Sequence, residues 1–306
     1  VRNNLLVRNG LVGIELHGED HVIEGNEIWG TIQHHPGWKD RPRWVDADGI
    51  RFFGRGHQIR GNYIHDISYD DAQNVNPHID CFQTWGPAAD IVFEGNRCEN
   101  LEYQGPDEQG KGFMIESQNG LVHDIVIRNN LILAFNQITI LDGRRIQILN
   151  NTFVSDLEFD LAAQVGIGLF RSPRVTIKNN IFYNIARQHL APDATSQPSL
   201  DAGYNNVYRS DGRRPSGSPS RGDLWGIDPK FVDADGGDFR LQLTSPMIDA
   251  GTEVDVKTDF TGKARPRGGG YDIGAFELVI ELVQPEGART LPHTSMPGTP
   301  VLRLSL

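Results

Sequence analysis

The 306-residue sequence predicts an all-β fold, a parallel β-helix in which coils of about 22 residues stack along one axis. Three observations carry the prediction. An apolar alternation that ends in Asn recurs eight times, each repeat holds at least two strand-like stretches, and no helical periodicity lies between them. Such short strands can bury their apolar faces only when one coil stacks on the next.

An Asn-Asn or Gly-Asn pair ends the alternation in each repeat. The second residue of the pair lies at positions 4, 26, 62, 96, 130, 151, 180 and 206, with separations of 22, 36, 34, 34, 21, 29 and 26 residues. The shortest separations give the length of a bare coil, and the longer ones include insertions. Asn tolerates left-handed backbone geometry, and identical side chains one coil apart can hydrogen-bond as a ladder. We therefore expect these Asn residues to be structural.

Strand-like alternations precede each Asn, as in residues 91–94 (Ile-Val-Phe-Glu), and lie again upstream, as in residues 78–81 (His-Ile-Asp-Cys). These coils resemble those of right-handed parallel β-helix proteins, the pectate-lyase-like superfamily, over residues 1–277. The resemblance implies a right-handed coil, a polysaccharide partner and secretion. Residues 228–277 resemble the closing segment of secreted bacterial β-helix proteins, which implies terminal coils and a cap. We expect residues 278–306 to form an extension or tail.

Composition narrows the functional classes. The formal net charge of -11 argues against a nucleic-acid partner, because phosphate binding requires clustered Lys and Arg. No apolar run approaches the ~20 residues of a membrane-spanning helix. We expect Cys81 and Cys98 to be free buried thiols. We also expect a monomer, exported with any signal peptide already removed.

Three insertions lie between an Asn turn and the next upstream strand, at residues 30–47, 68–77 and 99–111. Insertions at one place in successive coils rise on one flank of the solenoid, and loops side by side over a sheet form a groove. The stretch at residues 76–86 is expected on the floor of that groove.

Alternation predicts which side chains face the groove. If Ile79 and Cys81 face inward, then His78, Asp80 and Phe82 face outward. The same parity exposes residues of the two neighbouring coils, namely Arg51, Phe53, Met114 and Glu116. Asp48 and Lys111 stand at the entrances to their strands, so acids, bases and a His converge within a few coil spacings of ~4.8 Å.

Aromatic residues in or beside the insertions are candidates for stacking on sugar rings. The predicted substrate-binding set is Trp44, Phe53, Phe82, Trp85 and Tyr103.

Elimination from a uronate polymer requires a base and a cation that stabilises the developing enolate. His78 or Lys111 is the candidate base, Arg51 the candidate cation and Glu116 a supporting acid. Many lyases of the resembled superfamily use calcium held by carboxylates, which implies Asp48 and Asp80 as metal ligands.

Two other reactions and a binding role remain open at this point. An inverting hydrolase needs two carboxyl groups about 6.5 to 9.5 Å apart, and Asp80 and Glu116 are placed by alternation at roughly 8 Å. Residues 76–78 (Asn-Pro-His) resemble the Asp-Pro-His motif of alginate C5-epimerases, although Asn76 and Lys111 replace acids of that family. A non-catalytic glycan-binding module would show the same groove. We favour elimination.

Overall fold

The computed structural model describes residues 1–32, 46–67, 78–101, 110–157 and 164–278. Within these residues the chain forms seven coils of three strands each, and equivalent strands of successive coils pair in parallel. The predicted parallel β-helix is confirmed. No helix in these ranges is long and apolar enough to cross a membrane.

Sheet 1 contains the first strand of each coil. Its strands are β2 (Val12–Leu16), β5 (Asp48–Phe52), β9 (Ile79–Thr84), β12 (Gly110–Glu116), β15 (Asn136–Leu141), β18 (Val165–Phe170) and β21 (Gln188–Pro192).

Sheet 2 contains the second strand of each coil, together with the two-residue strand β6 (Gly54–Arg55), which pairs with β10. Its other strands are β3 (Val22–Glu24), β7 (Gln58–Arg60), β10 (Ala88–Glu94), β13 (Val122–Arg128), β16 (Arg144–Leu149), β19 (Val175–Lys178) and β22 (Asp201–Gly203).

Sheet 3 contains the third strand of each coil and one further strand at each end. Its strands are β1 (Leu5–Val7), β4 (Glu27–Trp29), β8 (Tyr63–Ile67), β11 (Arg97–Leu101), β14 (Leu131–Leu133), β17 (Thr152–Val154), β20 (Ile181–Tyr183), β23 (Asn206–Tyr208) and β24 (Leu224–Trp225). A short 3-10 helix, Gln197–Ser199, and an antiparallel hairpin of β25 (Phe231–Asp233) and β26 (Asp238–Leu241) complete the elements.

Inward-facing side chains of the three sheets form one continuous core. Aromatic rings pack along its axis: the Phe82 ring stacks on Phe113 with centroids 4.5 Å apart, and Phe93 meets both rings edge-on. Branched aliphatic residues fill the equivalent positions of the other coils, so each coil buries apolar surface against its two neighbours.

The predicted Asn ladder is present at the turn between sheets 2 and 3. The side-chain oxygen of Asn96 accepts from the backbone N–H and the amide of Asn62, and Asn130 does the same for Asn96. The residue before each ladder Asn has a positive φ, as at Gly95 and Asn129. In the seventh coil the ladder residue is Asn205, because the oxygen that accepts from Asn180 belongs to Asn205 and not to Asn206.

Cys81 and Cys98 form a disulfide, so the expectation of two free thiols is wrong. The bridge joins β9 of sheet 1 to β11 of sheet 3 across the interior. Both Cys residues are fully buried in the core.

The late part of the chain is more regular than its Pro and Gly content suggests. Residues 186–227 contain strands β21 to β24 and complete a seventh coil. The segment after Lys230 packs against the side of the solenoid, where Phe231 and Met247 meet Leu131 and Ile181. Within the described residues it contributes a hairpin and no further coil. Residues 279–306 lie outside the described ranges, so the domain boundary at residue 277 stays a prediction.

Candidate active site

Two rows of side chains cross the outer face of sheet 1 at right angles to its strands. The first row is Val12, Asp48, Asp80, Lys111 and Asn136, and the second row is Glu15, Arg51, Gln83, Met114 and Thr139. The rows lie near the edge at which the chain enters sheet 1 from the three insertions. The third insertion is shorter than predicted, because β11 extends to Leu101 and β12 begins at Gly110. Most residues of the insertions lie outside the described ranges, so the groove stays a prediction.

The alternation of inward and outward side chains is interrupted in the middle of β9. One predicted site residue, Phe82, is wrong for this reason. Ile79 and Cys81 face inward as expected, but Phe82 also faces inward and is fully buried in the core. Its neighbours in register are the core residues Ile50 and Phe113. Two consecutive inward residues leave His78 and Asp80 on the outer side and move the next outward position to Gln83. Phe82 is therefore not a substrate-binding residue.

Arg51 is held by two carboxylates, one on its own strand and one just before that strand. Its Nε donates to Oδ2 of Asp48 at 2.7 Å, and its guanidinium lies 3.6 Å from Asp46. Asp48 is fully buried, and burial raises its pKa well above the usual value, although Arg51 opposes the rise. The second oxygen of Asp48 accepts the backbone N–H of Asp80 at 3.2 Å. Asp48 thus links two adjacent strands and fixes Arg51.

Asp80 is buried without a hydrogen-bond partner. Its side chain is 0% exposed, and neither carboxylate oxygen has a partner among the described residues. Loss of hydration raises its pKa to about 7; Lys111 and Arg51 pull the pKa down, while Asp46 and Glu116 push it up. The charges of Lys111 and Arg51 on the outer face therefore both act on the pKa of Asp80.

Lys111 lies directly beside Asp80 in the next coil and is partly exposed. His78 precedes β9 at the edge of the sheet, is well exposed, and places Nδ1 3.7 Å from Oδ1 of Asp46. Lys111 is thus in register with Asp80, and His78 lies at the rim of the sheet beside Asp46.

An aromatic cluster adjoins Arg51. The Arg51 guanidinium lies over the partly exposed Trp85 ring at 5.3 Å, and Trp85 meets Phe53 edge-on. Phe53 also stacks on His17 and is only 7% exposed. Phe53 therefore supports Trp85 from the side, whereas Trp85 keeps an accessible surface. Trp44 and Tyr103 lie outside the described residues, so their predicted roles stay predictions.

Glu116 lies farther from Asp80 than the sequence estimate required. Because Asp80 pairs with Lys111, Glu116 is five residues along β12 from that position, on the order of 16 Å of extended strand. The sequence estimate of roughly 8 Å assumed that Asp80 and Glu116 are offset by two residues on adjacent strands, and this offset is wrong. The two carboxyl groups still influence each other, since Glu116 raises the pKa of Asp80.

Comparison with known proteins identifies the family. The family model described as "Right handed beta helix region" matches residues 1–208. The chain belongs to the right-handed beta helix family. The solved structure of pectate lyase Pel9A is similar, with a TM-score of 0.53 and 16% identity, and the match covers 89% of this chain and 64% of that chain. At this identity the likeness shows a shared fold. No curated protein matches the sequence.

Calcium is the metal that the resembled lyases suggest for this right-handed beta helix. Both oxygens of Asp48 already accept hydrogen bonds, and a cation, Arg51, stands beside them. In the described ranges no group of three or more His, Cys, Asp or Glu side chains is arranged to hold a metal. Calcium takes six to eight oxygen ligands. The described residues do not fit such a site, and Asp48 and Asp80 as calcium ligands stay a prediction without structural support.

Sequence reasoning missed Asp46 and Gln83. Asp46 could have been found, because it alternates with Asp48 at the entrance to β5. The position of Gln83 also had a signal: the coils before and after β9 read Gly49-Ile50 and Gly112-Phe113, with the residue after Gly facing inward. A Cβ on Gly49 would lie 2.6 Å from Ile64, so this inward position is narrow. Aligning Cys81 with these Gly residues would have placed Phe82 inside and Gln83 outside.

Proposed function

We propose that this right-handed beta helix is a polysaccharide lyase that cleaves a uronate-containing polymer by β-elimination on the outer face of sheet 1. One observation carries the proposal. Asp80, whose buried carboxylate has no hydrogen-bond partner in the described part of the chain, lies within electrostatic reach of two basic side chains, Lys111 and Arg51, that stand on the same face in different coils. A base and a carboxylate-neutralising cation on one face are the two requirements of uronate elimination.

Each residue has a defined task in the reaction. Lys111 is the base that takes the proton from C5 of the uronate. The electrons of that C–H bond form the C4=C5 double bond while the bond from C4 to the glycosidic oxygen breaks. Arg51 faces the uronate carboxylate and stabilises the negative charge of the enolate. The departing oxygen takes a proton from His78 or from water.

The neighbouring carboxyl groups act through these residues. Asp48 holds the Arg51 side chain by a hydrogen bond to Nε, and Asp46 lies 3.6 Å from one of its terminal nitrogens. Asp80 acts on Lys111 through its charge from the adjacent strand, and Trp85 offers its partly exposed ring to a sugar. Glu116 remains a supporting acid at the far end of β12. We also expect secretion, since uronate polymers occur outside the cell, and a monomeric state.

The test is incubation of the protein with a panel of uronate polymers and neutral glycans, with added calcium or with a chelator. Elimination gives products with new ultraviolet absorbance from the C4=C5 bond and a mass equal to the polymer fragments without added water. We expect this result for at least one uronate polymer. Products that have gained one water and lack the absorbance would overturn elimination.

Hydrolysis is the second candidate because the pKa of Asp80, about 7, suits a general acid near neutral pH. The complete burial of Asp80 and the long offset to Glu116 make it the weaker proposal. The same panel separates the remaining alternatives. An epimerase would change uronate stereochemistry without cleavage, and a glycan-binding module would bind polymer without any product.

A further inference from the structure

The outer face of sheet 1 carries a different charge over each coil. In its two rows of side chains the cations lie in the second coil, Arg51 on β5, and in the fourth coil, Lys111 on β12. The one charged residue that the first coil adds to the rows is an acid, Glu15 on β2, and the fifth coil adds Asn136 and Thr139. A polymer that crosses the coils therefore meets a cation at two places and an acid or a neutral group beyond them.

Glu15 lies directly beside Arg51 on the neighbouring strand. The two residues are in register, so their backbones are one strand spacing, about 4.8 Å, apart. The Glu15 side chain is 40% exposed and accepts a hydrogen bond from the His17 ring at 2.7 Å. His17 balances the charge of Glu15 only when its ring is protonated. A ligand carboxylate over the first coil would therefore face a like charge, whereas one over the second coil faces Arg51.

Ring surface and a hydrogen-bond acceptor suit the first coil to an uncharged sugar. The His17 ring is 66% exposed and stacks on Phe53 with centroids 4.9 Å apart, and Phe53 in turn meets Trp85. These three rings form a row beside Glu15, and an aromatic row of this kind packs against the apolar faces of sugars. Within the described part of the chain no hydrogen bond reaches Oε2 of Glu15, so this oxygen can accept from a sugar hydroxyl.

We propose that Glu15 and the His17 ring form a subsite for an uncharged sugar, next to the uronate that Arg51 holds. The substrate of the proposed reaction is then a mixed polymer in which neutral sugars separate the uronate units. This inference rests on the proposed function for the role of Arg51. Hydroxyl groups of the neutral sugar donate to Glu15, while a second uronate at the same place would bring two carboxylates together.

The experiment measures the affinity of three octamers by calorimetry, on the full chain carrying Lys111→Ala so that turnover does not interfere. The probes are a galacturonate octamer, an octamer of alternating galacturonate and rhamnose, and an octamer of alternating glucuronate and N-acetylglucosamine. The buffer is at pH 8 to keep imidazole groups uncharged. We expect one alternating octamer to bind about fivefold more tightly than the galacturonate octamer, the factor that one like-charge contact near a solvated surface costs.

Glu15→Gln in the same background tests the cause of this preference. The amide keeps a hydrogen-bond acceptor and removes the charge. We expect the galacturonate octamer to gain about fivefold in affinity and the alternating octamer to change by less than about twofold. The matched control is Glu27→Gln, because Glu27 is 50% exposed and contacts His65 at 3.2 Å, but lies on sheet 3. This control keeps the preference, and far-ultraviolet circular dichroism verifies that both variants fold.

The outcomes separate the subsite from the proposed reaction. The subsite is overturned if the Lys111→Ala chain binds the galacturonate octamer as tightly as both alternating octamers, if the preference persists in Glu15→Gln, or if no octamer binds. Unsaturated products from a pure uronate polymer would in each of these cases leave the proposed reaction intact. A preference that Glu15→Gln removes supports the subsite even if the wild type gives no unsaturated product.

Discussion

Asp80 shows how burial on the outer face of a sheet can control the charge of a single residue. Its neighbours Asp48 and Lys111 occupy the same row, but neither donates a hydrogen bond to its carboxylate. An ionised carboxylate in such a place lacks the hydration it has in the unfolded chain, so the protonated form is favoured. The residue type was predictable from the sequence. Its complete burial was not, because it depends on packing around β9.

The raised pKa of Asp80 makes stability fall as the pH rises. Between the ordinary value of 3.8 and about 7, the folded chain binds more protons at this site than the unfolded chain does. At about 1.4 kcal/mol for each pKa unit, ionised Asp80 lowers the free energy of unfolding by on the order of 4 kcal/mol above pH 7. In Asp80→Asn we expect this loss between pH 4 and pH 8 to be absent, as measured by urea unfolding at several pH values.

The control is Asp124→Asn, because ionisation of Asp124 has the opposite effect on the free energy of unfolding. Hydrogen bonds from Arg145 lower the pKa of Asp124 to about 2, so ionised Asp124 stabilises the fold above pH 4, and its replacement should destabilise the protein at pH 8. Glu277 also has a raised pKa, but it is present in every variant and cancels in the comparison. Asp48 has a raised pKa to which Asp80 contributes, so Asp80→Asn also relieves part of the pH dependence of Asp48. A pH slope in Asp80→Asn equal to that of the wild type would contradict the account of Asp80.

The Asn ladder is the element that the sequence predicted best. A residue repeated at the end of each alternation is recognisable without any structure, because each coil needs the same turn. The sequence did not distinguish Asn205 from Asn206, since both follow a strand-like stretch; only the turn at Tyr204, with φ 57°, places Asn205 in the ladder. The prediction for β9 assumed that side chains alternate strictly between inward and outward. It therefore missed that Cys81 and Phe82, two consecutive residues, both face inward.

Asn130→Ala tests the ladder in the middle of the solenoid. The Asn130 amide donates to Phe93 O and Asn151 Oδ1, and its oxygen accepts two hydrogen bonds from Asn96, all in a fully buried position. Truncation leaves several buried groups unpaired, each costing ≈ 1–3 kcal/mol, so we expect a loss of at least about 3 kcal/mol in urea unfolding. Asn4→Ala, at the exposed end of the ladder, should cost less than about 1 kcal/mol. Equal losses in the two variants would mean that the ladder does not stabilise the coils.

At the scale of the whole molecule, the stacking of coils brings together residues that are distant in sequence. Arg51, Asp80 and Lys111 come together only because each lies on a sheet 1 strand, in three consecutive coils. The repeat therefore predicted the fold and the approximate site. It could not predict the lateral placement of residues 231–278, which carry no repeat, or the disulfide, which depends on the distance between two interior positions.

The central claim is that the protein cleaves a uronate polymer by β-elimination on the outer face of sheet 1. Lys111 is the base in this reaction. The most direct measurement is the rate of ultraviolet-absorbing product formation from the uronate polymer that the wild type cleaves, for Lys111→Ala beside Lys178→Ala. Lys178 is a partly buried Lys paired with Asp201 on sheet 2 and serves as the matched control. Loss of the base predicts a fall of about 100-fold or more in kcat for Lys111→Ala, with Lys178→Ala close to the wild type. A Lys111→Ala variant that keeps the wild-type rate would contradict the account.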